Sequence, residues 1–262
     1  MQLLSEVDQD ALATAVRHLE QTSLAGRLAM LGSKPAGAAQ RALPAAASAA
    51  IARATTRTLE QALDLALFSL RNHRLIGGRK LHNALACTSG AVGGAFGLAA
   101  LTIELPVSTM IMLRAIAAIA REEGEDLADP RTRLACLEVF ALSGANSAEA
   151  DYFAIRAMLA RGLQELADFA TDKGARKAAA VFTRFLAQIA SHFGVAVSQK
   201  LAAQAVAVVG ALGGAGVNLT FIEYFQDLAR GHFIVRRLER VYGPSLVRSE
   251  YERLKALSPL SS

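Results

Sequence analysis

Apolar residues recur along this chain at helical rather than strand spacing. Val7, Leu12, Val16, Leu19, Leu24 and Leu28 lie three to five apart with charges between them, which predicts amphipathic helix from about residue 6 to 31. Gly32-Ser-Lys-Pro35-Ala-Gly37 breaks that pattern. Beyond Pro44 an alanine-rich stretch runs to about Ile76, with Leu59, Leu63, Ala66, Leu67 and Leu70 on one face, and Gly77-Gly78 closes it. A turn is predicted from Glu123 to Pro130, and helices with one charged and one apolar face near 131–143, 147–170 and 175–192. No window alternates with a period of two between turn signals, so no sheet is predicted. The expected fold is all-α, a single multi-helix bundle of at least six helices spanning residues 1–262.

Two stretches depart from this amphipathic pattern. Residues 85–103 carry no charge, and the apolar character continues past Glu104 to Leu113; a second uncharged run covers 201–222. Both reach the length at which a membrane span has to be considered. Both are also rich in glycine at four-residue spacing: Gly90 and Gly94, Gly93 and Gly97, and Gly210 and Gly214, with Gly213 beside them. Such a spacing puts small residues on one helix face and lets another backbone come close. Each glycine costs a helix about 1 kcal/mol against alanine, so close packing has to compensate. The expectation is that the two apolar helices are central and packed on each other.

That contact brings together two carboxylates, Glu104 and Glu223, each at the end of an apolar segment. A carboxylate in apolar surroundings must pair, bind a cation or take up a proton. Arg114, Arg121 and Arg230 are its candidate partners by helical spacing, with Asn218 and Asp227 completing a buried polar cluster. Pro106 is expected to start a new helical segment and leave Glu104 at an N-terminal turn. The runs also echo each other, Leu101-Thr-Ile-Glu104 beside Leu219-Thr-Phe-Ile-Glu223. Either an internal duplication or one packing solution used twice accounts for that.

Composition narrows the picture. Hydrophobic residues make up 53% and aromatics 6%, with no Trp, and mean hydropathy is +0.30, below what multi-span membrane proteins usually show. Cys87 and Cys136 each sit in apolar surroundings and read as small core residues of a reducing compartment. The N-terminus lacks the basic start and cleavage site of a signal peptide, so a cytoplasmic chain is expected. Net charge is +5, and most of it lies between Arg230 and Lys255. There, His232, Arg236 and Arg240 recur at four-residue spacing with Arg237 beside them. A basic ridge on an apolar helix suits anionic lipid at the inner face of the membrane; a face paired with nearby carboxylates is the alternative. Basic and aromatic residues are not interleaved, which speaks against nucleic acid.

The stretch from Gly90 through Glu104-Leu-Pro106 to Arg121, with Gly124-Glu-Asp126, closely resembles the EcsC protein family. So do Leu134-Ala-Cys-Leu-Glu-Val-Phe-Ala-Leu142 and His232-Phe-Ile-Val-Arg-Arg-Leu-Glu-Arg240-Val-Tyr-Gly243. The likeness is specific over 80–255 and looser over the N-terminal helices, 1–78. It implies a helical cytoplasmic or membrane-associated protein without an established enzyme activity. The family takes its name from a gene adjoining an ABC transporter, which makes a membrane transporter a candidate partner.

Several familiar reaction sites are missing from the sequence. It has no phosphate-binding Gly-rich Lys loop, no His-Glu-x-x-His helix and no Gly-x-Ser-x-Gly elbow. The glycines at 210–216 occur in a helical context, without the strand a dinucleotide site needs. No cofactor is therefore expected. Three readings remain: a non-enzymatic, peripherally membrane-associated protein; an enzyme or cation-binding protein using Glu104 and Glu223, with His192 and His232 as further metal-ligand candidates; and, as the family resemblance implies, an adaptor for a membrane transporter.

Overall fold

The computed structural model describes residues 3–20, 23–31, 59, 101–143, 151–168, 175–206 and 210–257. Among them every regular element is a helix: α1 (Glu6–Glu20), α2 (Leu24–Ala29), α3 (Leu101–Glu122), α4 (Pro130–Leu142), α5 (Tyr152–Asp168), α6 (Ala175–Val206), α7 (Gly210–Tyr242) and α8 (Pro244–Leu257). The all-α class expected from periodicity is the class observed.

Local chemistry sets the helix ends. Ser5 and Asp8 form a reciprocal cap at the start of α1: the Asp8 amide donates to Ser5 Oγ at 3.2 Å, and Ser5 Oγ donates to the Asp8 carboxylate at 2.8 Å. Ser23 opens a separate α2, accepting from the Gly26 amide, so the single helix expected over 6–31 is two helices. At the end of α3, Gly124 takes φ +78° while the Glu125 amide returns to Ala120 O and the Gly124 amide to Arg121 O. This is the paired closing bond pattern that glycine permits. Asp129 then caps α4, accepting from the Arg131 amide at 2.8 Å, with Pro130 at the first helical position. Gly243, at φ +84°, turns α7 into α8.

α7 is the axis of the bundle. It packs on α1, α2, α3, α4, α6 and α8, and from Tyr224 to Ala229 and Gly231 to Val235 each of its residues is buried. A helix enclosed on all sides cannot keep a polar face for water. Where α4, α6 and α7 meet, Phe140, Phe193, Phe221 and Phe225 form one aromatic cluster, with Phe140 and Phe193 edge-on at 4.6 Å between centroids.

Three expectations change. The 201–222 run is shared between α6, which ends at Val206, and α7, which starts at Gly210. Glu223 therefore lies inside a long helix and does not end one. Pro106 does not start a new segment: α3 runs through it, held by Leu105, Ser108 and Thr109, all buried, at the cost of one backbone bond. The remainder of the first run, with Gly90, Gly93, Gly94 and Gly97, lies outside the described residues. α3 and α7 do pack together. Among the described residues no helix is long and apolar enough to cross a membrane, and Val217, Phe221 and Ile222 of the second run are core residues.

Among the described residues a close helix approach at a glycine joins α7 to α1. A Cβ on Gly231 of α7 would fall 2.6 Å from Leu19 Cγ and 3.0 Å from Ala15 O of α1, whereas one on Gly216 meets nothing within 4 Å. Gly231→Ala is expected to cost about 1–3 kcal/mol through overpacking. Gly216→Ala is expected to gain up to about 1 kcal/mol from helix propensity. Urea unfolding of the two variants reads the difference in sign.

Candidate functional site

Among the described residues many charged side chains collect along the C-terminal half of α7, where the surrounding helices supply their partners. The loop after α3 is the first contributor. Because Gly124 turns the chain, Glu125 points back at α7 and accepts a two-pronged bond from Arg236, Nε at 2.9 Å and Nη2 at 3.3 Å. Arg240 binds the same carboxylate and also donates to Glu123 O at 2.7 Å. Thr132 of α4 donates to Glu125 at 3.0 Å. Burial pushes the Glu125 carboxyl up, but the Arg236 hydrogen bond and charge, with Thr132 and Arg240, outweigh it and leave the group below the usual range.

Arg237 faces the other way and joins α1 to the same loop, 3.0 Å from Asp8 and 2.9 Å from Glu123. Tyr242 donates to Asp8 at 2.7 Å. Those bonds, Tyr242 first and then Ser5 and Arg237, hold the Asp8 carboxyl below its ordinary value. One turn away, Glu239 takes a bidentate bond from Arg156 of α5, at 2.7 and 2.8 Å.

Inside this belt lies His232, fully buried at 0% exposure. Its Nδ1 is 3.2 Å from the Tyr152 hydroxyl of α5, and its Nε2 is 3.6 Å from Glu138 Oε2 of α4. Burial, reinforced by the Arg156 and Arg236 cations, holds the imidazole well below 6.5 and therefore neutral near pH 7. Burial also raises the Glu138 carboxyl, against the pull of the same two arginines, and pushes the neighbouring Cys136 thiol up to about 12. That thiol is consequently unreactive. α8 closes the outer side: Tyr251 stacks on Tyr152 at 5.6 Å and donates to Glu20 of α1 at 2.8 Å.

A model of the EcsC protein family matches residues 7–238. The chain belongs to the EcsC protein family. The match reaches back through the N-terminal helices, where the sequence likeness was looser, and it takes in Asp8, Glu125, Glu138, Arg156, His232 and Arg236. No curated protein and no solved structure matches the chain.

Within this EcsC chain the residues singled out from sequence are distributed differently from the single cluster expected. Asp227, buried, is bound 2.9 Å from Arg27 of α2, with His18 of α1 at 3.6 Å, and not by Arg230. Arg230 instead lies 3.9 Å from Glu122 on the surface. Arg121 is exposed, Arg114 and Glu223 are half-buried, and Asn218 is fully buried. The Glu104 side chain lies outside the described residues. His192 is half-buried on α6, where its carbonyl accepts from Ser143. Among the described residues no group of three or more His, Cys, Asp or Glu is placed to hold a metal ion.

The four-residue spacing of His232, Arg236 and Arg240 does mark one face of α7, but that face is not an open anion-binding ridge. Its histidine is core, and the guanidiniums of Arg236, Arg237 and Arg240 are committed to Glu125, Glu123 and Asp8. Sequence reasoning missed Glu125, Glu138, Tyr152 and Arg156, and it took Glu239 only as a partner for the basic face of its own helix. Glu138 had a usable signal, as the lone charge in the apolar stretch 134–142.

The energetics of the belt can be read against an exposed pair. Arg236 and Glu125 have side-chain exposures of 23% and 6%, while Arg253 and Glu250 have 51% and 25%. Arg236→Ala leaves a sequestered carboxylate short of its main partner and is expected to cost about 2–3 kcal/mol, less than a wholly buried pair because water reaches the arginine. Arg253→Ala is expected to stay within about 0.5 kcal/mol of wild type. Urea denaturation midpoints, at unchanged slope, check both.

Proposed function

We propose that this EcsC-family chain works without catalysis, as a helical protein that associates peripherally with the cytoplasmic face of a membrane. The observation that carries the non-enzymatic part is the enclosure of its most chemically competent groups. Tyr152, His232 and Glu138 are 2%, 0% and 6% exposed, and the arginines around them are held by carboxylates of the same chain. A general acid or base has to come within hydrogen-bond reach of a substrate. Here the three groups are covered by other helices: the Tyr152 hydroxyl is 3.2 Å from His232 Nδ1 and Glu138 stands 3.6 Å from its Nε2, a closed arrangement that suits fixing helix register.

The membrane part rests on the sequence, on the uncharged run 85–103 and the net charge of +5. Because Arg236, Arg237 and Arg240 have internal partners, attraction to the membrane is assigned to the apolar run and not to the α7 ridge. Partial burial of an apolar segment in the headgroup boundary gives binding that depends on both apolar area and anionic lipid.

Flotation of the full chain with vesicles tests this reading, using phosphatidylcholine alone and mixed with phosphatidylglycerol at low salt. The chain is expected to float with the anionic vesicles. Phe96→Asp is expected to lower the bound fraction about tenfold, from the cost of a charge in an apolar segment. Arg236→Ala, assayed where it remains folded, is expected to float like wild type. A wild-type chain that stays at the bottom of the gradient with both vesicle types contradicts the proposal.

A further inference from the structure

The enclosure of His232 has a second consequence, because the helices that cover it bring unequal charges. From α5 come the Tyr152 hydroxyl at Nδ1 and the Arg156 guanidinium; from α4 comes Glu138 at Nε2; from α7 itself come Arg236 and Glu239. α8 contributes Tyr251, stacked on the far side of Tyr152 and tied to Glu20 of α1. Both cations near the ring already have counterions, Glu239 for Arg156 and Glu125 for Arg236. Glu138 is the carboxylate that faces the imidazole.

Burial favours the neutral form of Glu138, while burial and two guanidiniums oppose a charge on His232. Once Glu138 is neutral, a charged imidazole would be a third cation with no carboxylate left to pair with it. An unpaired buried charge is relieved only by water. Tyr152 and Arg156 are the α5 groups that screen the ring, so water reaches it by parting α5 from α7.

We infer that His232 is an acid-operated latch: protonation of its imidazole frees the first turns of α5 from α7 and opens the bundle along the seam between Tyr152 and Glu138. The opened seam bares Tyr152, Phe153 and Phe233, which are buried in the closed form.

The direction with pH follows from the two buried groups. The open form binds a proton at His232 near the ordinary 6.5 and the closed form resists it, so closure weakens as pH falls below 6.5. Glu138 acts in the opposite sense, favouring the closed form as pH falls toward its ordinary 4.5, and so offsets part of the effect.

Amide hydrogen exchange of the full chain at about pH 7.5 and about pH 5, corrected for intrinsic rates, tests the latch on either side of the imidazole range. Peptides covering 152–160 are expected to exchange at least about tenfold faster at the lower pH, the equivalent of one unit of proton linkage. Glu138→Gln keeps or steepens that dependence, and His232→Gln flattens it even if its overall protection is lower. Ring resonances of His232 in the wild-type chain supply a check that needs no variant: they are expected to titrate well below 6.5, after exchange of 152–160 has begun to rise. The latch is overturned by any of three results: no acceleration in the wild type, a His232→Gln variant with the wild-type pH dependence, or a His232 ring that titrates while exchange stays unchanged.

Discussion

The structure depends on the pairing of charged groups on a helix, α7, that is buried over most of 224–235. α7 carries Asp227, Arg230, His232, Arg236, Arg237, Glu239 and Arg240, and its neighbours leave most of them little access to water. Each neighbour therefore has to bring the complementary group to one place. α1 brings Asp8 and His18, α2 Arg27, α3 and its loop Glu122, Glu123 and Glu125, α4 Glu138, and α5 Tyr152 and Arg156. Apolar packing alone would tolerate a helix sliding by a turn; a sequestered carboxylate would not, because the slide leaves it unpaired.

This arrangement says more about register than about total stability. Desolvating an ion pair offsets much of its Coulombic gain, so the belt adds less than its number of bonds implies. The apolar core, including the four-phenylalanine cluster and the Gly231 contact with α1, supplies the attraction. The polar groups decide which of several apolar arrangements is adopted. The same reasoning bears on function, since side chains spent on internal pairing are not offered to a substrate or an anion.

Much of the architecture was legible in the sequence, because it was written in short-range signals. Gly124 and Asp129-Pro130 mark helix ends by local chemistry, and three-to-four-residue periodicity marks the helices. Partner identity was not legible. Arg237 meets a carboxylate on α1 and another at the end of α3, and Arg156 meets one on α7, so nothing within a helical turn announces these pairs. Spacing correctly placed His232, Arg236 and Arg240 on one face, but the direction of that face depended on Glu125, more than a hundred residues upstream. Asp227 shows the same failure: it was expected only to complete a cluster around Glu104 and Glu223, and its partner in space is Arg27 of α2.

The claim that α7 is keyed to its neighbours by pairing is tested most directly by a double-mutant cycle on Arg156 and Glu239, the bidentate bond between α5 and α7. With methionine at either position alone, a mostly buried charge is left without its partner and stability should fall by about 3 kcal/mol or more. With methionine at both, the loss should be smaller than the sum of the singles by about 2 kcal/mol or more. Additivity within about 0.5 kcal/mol would show that the two side chains do not recognise each other and would remove the basis for the account.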